Sequence, residues 1–193
     1  MNFGIVVLAA GGSSRMGEPK GLLAYEGTTL VARAARTAID SGADEVVIVL
    51  GAETDALRSA LEGLDVRIVV NAAWSEGMGG SIRTGIAGLT DAVGSAVVVL
   101  ADQPRITAAH LRALAAGLAD APIVASAYDG VAGAPCAFAR SEFGRLLALD
   151  GDIGARALVR SGAEPVVTIE FEGARTDVDT PEMYRALVQG ATD

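Results

Sequence analysis

Residues Phe3–Lys20, FGIVVLAAGGSSRMGEPK, are the most informative segment for predicting the architecture of this chain. It opens on a short, continuous apolar run, Phe3–Ala10, which predicts a strand buried on both faces of a sheet. The adjacent glycines Gly11 and Gly12 follow, and they allow a sharp turn whose backbone N–H groups can face an anion. The sequence therefore predicts a buried strand that leads directly into a phosphate-binding loop.

Apolar runs alternate with segments of helical periodicity after this loop, a pattern that indicates a mostly parallel sheet covered by helices on both faces. Strands are predicted at Glu45–Leu50, Val66–Val70 and Ala96–Ala101, and helices at about Thr29–Asp40, Thr54–Leu61, Ser81–Leu89 and Ala108–Leu118, the last with Thr107 as N-cap. The expected fold is a three-layer α/β/α arrangement. Ligands bind at the carboxyl ends of the strands in such sheets. The segments at those ends are Ala10–Lys20, Gly51, Asn71–Gly80 and Asp102.

The second half of the chain is less regular, and its elements are shorter. We predict strands at Ile123–Ala127, Pro135–Phe138 and Val166–Phe171, a loop at Gly130–Pro135, and helices from near Ser141, over Asp152–Ser161 and over Pro181–Val188. A length of 193 residues favours a single domain, 1–193.

Composition narrows the classes of function. The net charge of −9 argues against binding to nucleic acid or to an anionic membrane surface. No apolar run approaches the roughly 20 residues that a membrane span needs. The lone cysteine, Cys136, excludes an internal disulfide framework and fits a reducing cytoplasm, where we expect the protein to work.

One cationic residue stands apart from the others. The chain has 15 lysines and arginines, and Lys20 is its only lysine. The alternative interpretation is that the arginine bias comes from a GC-rich genome and that Lys20 remains by chance, but the single ammonium group lies inside the glycine-rich loop. Because a compact ammonium suits close approach to phosphate, we predict that Lys20 is functional.

The spacing of the loop residues excludes two familiar phosphate-binding motifs. Gly11, Gly12 and Gly17 do not match the G-x-G-x-x-G of dinucleotide-binding folds. A P-loop needs a lysine directly after its last glycine, whereas Glu18 and Pro19 intervene before Lys20.

The loop Leu8–Lys20 instead resembles the signature L-A-A-G-x-S-x-R-M-G-x-x-K of the nucleotidyltransferases related to molybdenum cofactor cytidylyltransferase, a family of the Rossmann-like nucleotidyltransferase superfamily. Other segments resemble the family's motifs in the same order. They are Asn71–Ile82 (N-x-x-[WY]-x-x-G-M-x-x-S), Asp102–Pro104 (D-Q-P), Gly133–Pro135 (G-x-P), Gly151–Arg156 (G-D-x-G-A-R) and Asp177–Glu182 (D-x-D-T-P-E). The resemblance spans Leu8 to Glu182 and implies a Rossmann-like nucleotidyltransferase fold.

The resemblance also implies roles for individual residues. Arg15, Lys20 and Asp102 would be catalytic, and Asp102 and Asp179 would bind Mg²⁺. The nucleotide would be contacted by Leu8, Ala9, Ala10, Gly11, Gly12, Lys20, Asn71, Ser81 and Asp102. The acceptor would be contacted by Gly133, Pro135, Asp152 and Arg156. The nucleotide would thus bind to the N-terminal half, about 1–120, and the acceptor to the C-terminal half, about 121–193.

Several of these residues also have structural interpretations. Asp102 follows the most apolar strand, where a carboxylate can bind Mg²⁺, but an Asx-turn or a helix cap before Pro104 would use it as well. Asp179 is either a metal ligand or the N-cap of the last helix, and Asp177 is a weaker candidate. Arg156 is equally a helix-surface arginine. His110 is expected to be a surface or packing residue, and Cys136 a buried, inert thiol.

The predicted function is transfer of CMP from CTP to the phosphate of molybdopterin or molybdenum cofactor, with release of pyrophosphate. The acceptor is a phosphate oxyanion at neutral pH, so positioning and charge neutralisation can replace a general base. The alternatives are another phosphorylated acceptor, GTP in place of CTP, an NAD(P)H-dependent oxidoreductase of the same family, and a non-catalytic nucleotide-binding module. A recipient molybdoenzyme or its chaperone is the expected protein partner.

Overall fold

The structure of the protein is a computed structural model that describes residues 2–190. A seven-stranded sheet forms its centre, and a two-stranded hairpin follows the first loop. The strands are β1 (Phe3–Ala9), β2 (Ala24–Tyr25), β3 (Thr28–Thr29), β4 (Glu45–Leu50), β5 (Arg67–Val70), β6 (Ser95–Leu100), β7 (Ile123–Tyr128), β8 (Val131–Ala139) and β9 (Val166–Glu170). The helices are α1 (Leu30–Asp40), α2 (Thr54–Ala60), α3 (Met78–Ala87), α4 (Ala108–Gly117), α5 (Phe143–Leu147), α6 (Arg156–Arg160) and α7 (Pro181–Gln189).

The large sheet has the order β5-β4-β1-β6-β8-β7-β9, with β1 near its centre. All neighbouring pairs are parallel except those of β8, which runs antiparallel to both β6 and β7. Parallel strands buried on both faces carry continuous apolar runs, and β1, β4 and β6 do so. The predicted Rossmann-like, mostly parallel α/β/α fold is confirmed.

Helices cover both faces of the sheet and complete two separate apolar cores. Residues of α1, α2 and α4 pack on one face, among them Val31, Leu57 and Leu111. Residues of α3, α5 and α6 pack on the other, among them Ile82 and Leu146. Thr107 caps α4 by accepting a hydrogen bond from His110 N, as predicted.

A third, smaller apolar cluster lies at the carboxyl edge of the sheet and joins the segment between β1 and α1 to the C-terminal segment. It contains Met16 from the first loop and Leu30 from α1, together with Val178 and Leu187 from the C-terminal segment. The Tyr184 hydroxyl donates to Ala24 O at 2.6 Å. The last helix is therefore docked on the loop that follows β1.

The prediction of a loop at Gly130–Pro135 is correct only for Gly130, because residues 131–135 belong to the nine-residue strand β8, which also contains the predicted short strand Pro135–Phe138. Asp129 and Gly130 both have positive φ, 49° and 73°, and connect β7 to β8 as a tight hairpin. An Asp-Gly pair between two strands is a strong hairpin signal. The Gly and Pro residues that follow it suggested a loop, but they lie within β8, at the point where its register with β7 shifts: Ala125 pairs with Cys136 and Ser126 with Gly133.

Two predicted helices have different limits in the structure. Helix α3 starts at Met78, three residues before the predicted start at Ser81, because Gly77 adopts a positive φ of 126° directly before it. The predicted helix Asp152–Ser161 is reduced to α6, since Gly151 has a positive φ of 57° and Gly154 follows close behind. Among residues 2–190, none of the helices combines the length and the apolar character needed to cross a membrane.

Candidate functional site

A cleft of about 520 Å³ opens at the carboxyl edge of the sheet, where the sequence predicted a ligand site. The ends of the parallel strands meet there, and Ala52 N and Ala101 N donate to Ala10 O and Leu8 O. The predicted site residues that line the cleft are Leu8, Ala9, Ala10, Gly11, Gly12, Arg15, Lys20, Ser81, Asp102, Asp152 and Asp179.

Lys20 and two aspartates form the charged centre of this cleft. The Lys20 ammonium lies 2.9 Å from Asp102 Oδ2 and 2.6 Å from Asp179 Oδ1. Arg15 contacts the other Asp179 oxygen at 3.0 Å, with its own side chain 68% exposed. Lys20, Asp102 and Asp179 are far apart in sequence, and the fold brings their side chains together at one point.

Asp179 reaches this cluster because another residue caps the last helix. The Thr180 hydroxyl accepts a hydrogen bond from Met183 N, so Thr180, and not Asp179, is the N-cap of α7. Val178 N donates to Asp102 O at 3.0 Å and fixes the C-terminal segment beside β6. The capping interpretation of Asp179 is therefore wrong. Asp102 does not cap a helix either, since Thr107 caps α4.

The charges of the cluster shift the pKa values of its members. Burial alone would lower the pKa of Lys20, but the Asp102 charge and the hydrogen bonds to Asp179 and Asp102 raise it above its ordinary value. The hydrogen bond from Lys20 lowers the pKa of Asp179. Burial and the neighbouring Asp102 charge raise the pKa of Asp177 to about 6. Lys20 is thus a fixed cation and Asp179 a fixed anion at neutral pH.

Ser13 shapes the loop, a role that the sequence pattern did not predict. Its φ of 53° lies in the left-handed region, which is uncommon for a residue with a Cβ atom. Its hydroxyl accepts a hydrogen bond from Lys20 N at 2.9 Å, and its carbonyl accepts one from Met16 N. Ser13 therefore closes the loop at the position that carries the lysine. The motif contained this serine, but only the structure shows what it contacts.

Trp74 is a second residue whose role the sequence pattern did not predict. A Cβ atom on Gly12 would lie 2.8 Å from the Trp74 ring, and one on Gly51 would lie 2.5 Å from the Trp74 Cβ atom. The indole thus packs directly against two glycine backbones and lines the cleft. The sequence feature that could have indicated this role is the position of the chain's single tryptophan within a glycine-rich segment.

The side chains of Asn71 and Ser81 are buried and lie next to each other. Asn71 Oδ1 accepts from Ala73 N at 3.1 Å, which orients the amide so that its Nδ2 donates to Ser81 Oγ at 3.0 Å. Because Ser81 Oγ already accepts this bond, its own hydrogen can point into the cleft that Ser81 lines. Asn71 does not line the cleft, and it contacts the site through Ser81.

The four predicted acceptor residues do not come together as one group. Only Asp152 lines the cleft. Gly133 and Pro135 are buried in β8, and Pro135 O accepts a hydrogen bond from the Ser126 hydroxyl. Arg156 is exposed, and its Nε donates to Ala132 O at 3.1 Å. The acceptor assignments of these residues remain predictions.

His110 and Cys136 have packing roles. The His110 ring stacks on Phe171 with centroids 4.1 Å apart and bonds to Ser126 Oγ at 2.7 Å. Burial lowers the pKa of His110 to about 4, so this imidazole is neutral. Burial raises the pKa of the Cys136 thiol to about 12, which makes it a poor nucleophile.

The donor set of the cleft suits a hard cation. Asp102 Oδ1 is buried and has no hydrogen-bond partner, while the other Asp102 oxygen and Asp179 converge on one point. Carboxylate oxygens are the ligands that Mg²⁺ and Mn²⁺ take in proteins. No group of three or more acidic, His or Cys side chains surrounds a common point anywhere in residues 2–190. Asp102 and Asp179 therefore fit a cation that takes its remaining ligands from a substrate.

The three-layer fold, the cleft at its carboxyl edge and the lysine–aspartate centre define the class of Rossmann-like nucleotidyltransferases. Within that class, the chain belongs to the MobA-like NTP transferase domain family, whose domain matches residues 5–166. This finding confirms the family that the loop motif predicted.

Proteins that are similar to this chain carry different names. The chain is 37% identical to the nicotine blue oxidoreductase of Paenarthrobacter nicotinovorans, over 94% of this chain and 95% of that protein. It is 33% identical to the purine catabolism protein PucB of Bacillus subtilis strain 168, over 93% and 92%. The crystal structure of Rv0371c from Mycobacterium tuberculosis H37Rv has a TM-score of 0.86 at 35% identity, over 98% and 99%. Rv0371c in complex with manganese has a TM-score of 0.82 at 34% identity, over 98% and 99%.

Proposed function

We propose that this protein transfers CMP from CTP to the terminal phosphate of molybdopterin or molybdenum cofactor and releases pyrophosphate. The observation that carries the proposal is the Lys20–Asp102–Asp179 centre at the carboxyl edge of the sheet, in a chain of a nucleotidyltransferase family. A binding module has no need of two carboxylates that converge beside a phosphate-binding lysine. We therefore favour a catalytic role over simple nucleotide binding.

Asp102 and Asp179 are the residues that would hold a divalent cation, proposed as Mg²⁺. Nucleotidyltransferases typically use divalent metals, and the related Rv0371c has been solved with manganese. A bound cation would neutralise charge on the phosphates during the displacement. Asp102 would contribute the oxygen that has no partner in the protein, and Asp179 is held in its charged form by Lys20 and Arg15.

The protein's own residues would bind and align the nucleotide. Backbone N–H groups at Gly11 and Gly12 would face the phosphates, and Lys20 and Arg15 would bind them as a point charge and a planar fork. An oxygen of the acceptor phosphate then forms a bond to the α-phosphorus while the bond to pyrophosphate breaks. The attacking oxygen is already ionised, so the neutral His110 is not required as a base.

The proposed choice of base rests on Ala10 and Ser81, which both line the cleft. Ala10, where guanosine-using relatives of the loop motif have glycine, is 4% exposed, and its methyl group takes up space that a glycine would leave free. The Ser81 hydroxyl can donate a hydrogen bond into the same space. A small pyrimidine with acceptor atoms on its edge fits these features, and we propose CTP in preference to GTP.

The acceptor would enter from the C-terminal half, where Asp152 reaches the cleft. In this proposal the chain works as one domain, with the nucleotide on residues of about 1–120 and the acceptor on residues of about 121–193. Gly133, Pro135 and Arg156 would define the acceptor side through the position of β8. A recipient molybdoenzyme or its chaperone would take the product, in the reducing cytoplasm that the free Cys136 thiol fits.

The similarity to a nicotine blue oxidoreductase supports a second candidate. In that case the cleft would bind NAD(P)H and a pigment, and the reaction would be a hydride transfer. The loop spacing counts against it, because the dinucleotide fingerprint is missing.

The test is pyrophosphate release from CTP in the presence of Mg²⁺ and molybdopterin. We expect Asp102→Ala to lower kcat/KM by ~100-fold or more, the size of effect that preorganised charged groups have. Asp91→Asn is a matched control, since Asp91 is fully exposed and pairs only with Arg140 in the described structure. Oxidation of NAD(P)H without turnover of any nucleotide would favour the second candidate. Turnover of GTP, or of another phosphorylated acceptor, would correct the substrate alone.

A further inference from the structure

Lys20 has two tasks that it cannot perform at once. Its ammonium contacts both Asp102 and Asp179, the two carboxylates that fit a divalent cation. The proposed function also needs this ammonium on the triphosphate. The Lys20 side chain is only 20% exposed, and the two carboxylates are 23% and 30% exposed, so the contacts are partly shielded from water. A cation that binds these carboxylates must first displace Lys20.

We propose that Lys20 occupies the metal position until nucleotide arrives, so that the species admitted to the cleft is the metal–nucleotide complex and not the free metal. This inference rests on the proposed function and adds to it the form of the substrate. Lys20 then moves from the carboxylates to the phosphates, and the incoming cation takes its place.

Charge balance gives the direction of this exchange. In the structure, Lys20 and Arg15 contact Asp102 and Asp179, and the carboxyl group of Asp177 lies close enough to feel the charges of Lys20 and of both aspartates. A free divalent cation would separate the ammonium from the two carboxylates that it contacts, in a partly buried place, which is unfavourable. A nucleoside triphosphate brings the anion that the displaced ammonium needs, together with phosphate oxygens for the cation.

Arg15 does not share this role, although it contacts the same aspartate. Its side chain is 68% exposed, and it contacts only the outer Asp179 oxygen. Water screens such a pair, so loss of Arg15 removes one positive charge without clearing the space between the carboxylates. Arg15→Gln is therefore the matched control for substitution of Lys20.

The experiment is a titration with Mn²⁺, followed by electron paramagnetic resonance of the free ion, on the full chain without acceptor. The variants are Lys20→Met, Lys20→Gln and Arg15→Gln, and each is measured with and without CTP. We expect both Lys20 variants to bind Mn²⁺ alone roughly tenfold more tightly than the wild type, because a neighbouring positive charge is removed. Arg15→Gln should change this affinity by a smaller factor. In the wild type, CTP should strengthen Mn²⁺ binding, and in the Lys20 variants this strengthening should shrink.

The outcomes separate the inference from the function beneath it. Unchanged Mn²⁺ affinity in both Lys20 variants, with CTP still strengthening binding to the wild type, overturns the inference and leaves the transferase proposal standing. Equal gains in the Lys20 and Arg15 variants also overturn it, since they reveal a general effect of charge. A gain in the Lys20 variants with no effect of CTP supports the placement of Lys20 but contradicts the nucleotide reaction. Asp102→Asn combined with Lys20→Met should abolish the gain, and a gain that persists places the ion elsewhere.

Discussion

Ser13 combines a left-handed backbone with a hydrogen bond to the lysine that follows it seven residues later. Ser13→Ala keeps the unfavourable φ and removes the acceptor for Lys20 N. Ser13→Asn restores a side-chain acceptor in a residue that tolerates this φ. We expect kcat/KM for pyrophosphate release to fall about tenfold in Ser13→Ala, the effect of losing one such hydrogen bond, and less in Ser13→Asn. Equal losses in the two variants would show that the Lys20 contact does not matter.

His110 should make stability depend on pH. The Ser126 hydroxyl donates to Pro135 O, so His110 Nε2–H donates to Ser126 Oγ in the neutral ring. Its folded pKa, about 4, lies below the ordinary value of 6.5, so the unfolded chain gains the proton first as the pH falls. The contribution of His110 to the free energy of unfolding is therefore fully present above pH 6.5 and is lost as the pH falls toward 4.

His110→Gln removes this titration and should reduce the loss of stability on acidification. We expect the drop in the free energy of unfolding between pH 7 and pH 5 to be smaller than in the wild type by about 2 kcal/mol. Urea unfolding at the two pH values measures it. An identical drop in both proteins would mean that His110 titrates normally in the fold.

For single residues, the sequence predicted which charged side chains belong to the site better than it predicted the contacts that they make. Lys20 was predictable because it is the only lysine, and Asp102 because it follows the most apolar strand. The contact of Asp179 with Lys20 was not predictable, because an aspartate before Thr180-Pro181 is equally typical of a helix N-cap. The choice depends on Val178 docking beside Asp102, a contact between segments that are distant in sequence.

The start of α3 and the loop at residues 150–154 are held together backbone to backbone. Gly79 N donates to Gly151 O at 2.9 Å, and a Cβ atom on Gly79 would lie 2.7 Å from Asp150 N. No side chain fits between the two segments. Asp152 therefore reaches the cleft from a loop whose position is set by the glycine at the start of α3.

Gly79→Ala should push this loop away from α3. We expect a loss of about 1–3 kcal/mol in the free energy of unfolding, the range for overpacking, and a KM for the acceptor that rises more than the KM for CTP. Gly144→Ala is the control, because Gly144 lies in α5 with open space at its Cβ position and should be neutral or stabilising. Parallel increases in both KM values would contradict a role specific to the acceptor loop.

At the scale of elements, the first half of the fold was predictable and the second only in part. Continuous apolar runs identify β1, β4 and β6, since each is buried on both faces. Only the second half of strand β8 was predicted, as Pro135–Phe138, because the Gly and Pro residues in its first half are typical of a loop, even though Asp129-Gly130 marks the hairpin. Strand β8 pairs antiparallel with β6 and β7, and no local sequence pattern shows which strands it pairs with.

The whole molecule should respond to the ligand that it binds best. A nucleotide that binds only the folded state raises the stability by about 2.7 kcal/mol at a concentration 100 times its Kd. We expect CTP with Mg²⁺ to raise the melting temperature more than GTP, ATP or UTP do, and Lys20→Met to lose most of this gain. A larger shift with GTP would show that Ala10 does not select the base.

The charged centre is assembled from three distant parts of the chain. Lys20 is separated from Asp102 by 82 residues and from Asp179 by 159, and Val178 holds the last part in place. A ribosome therefore releases the loop and both central strands long before the second carboxylate exists. The growing chain can bury its core before Asp179 exists, so the proposed cation site and its chemistry would be absent from incomplete chains until residues 177–179 have emerged and docked.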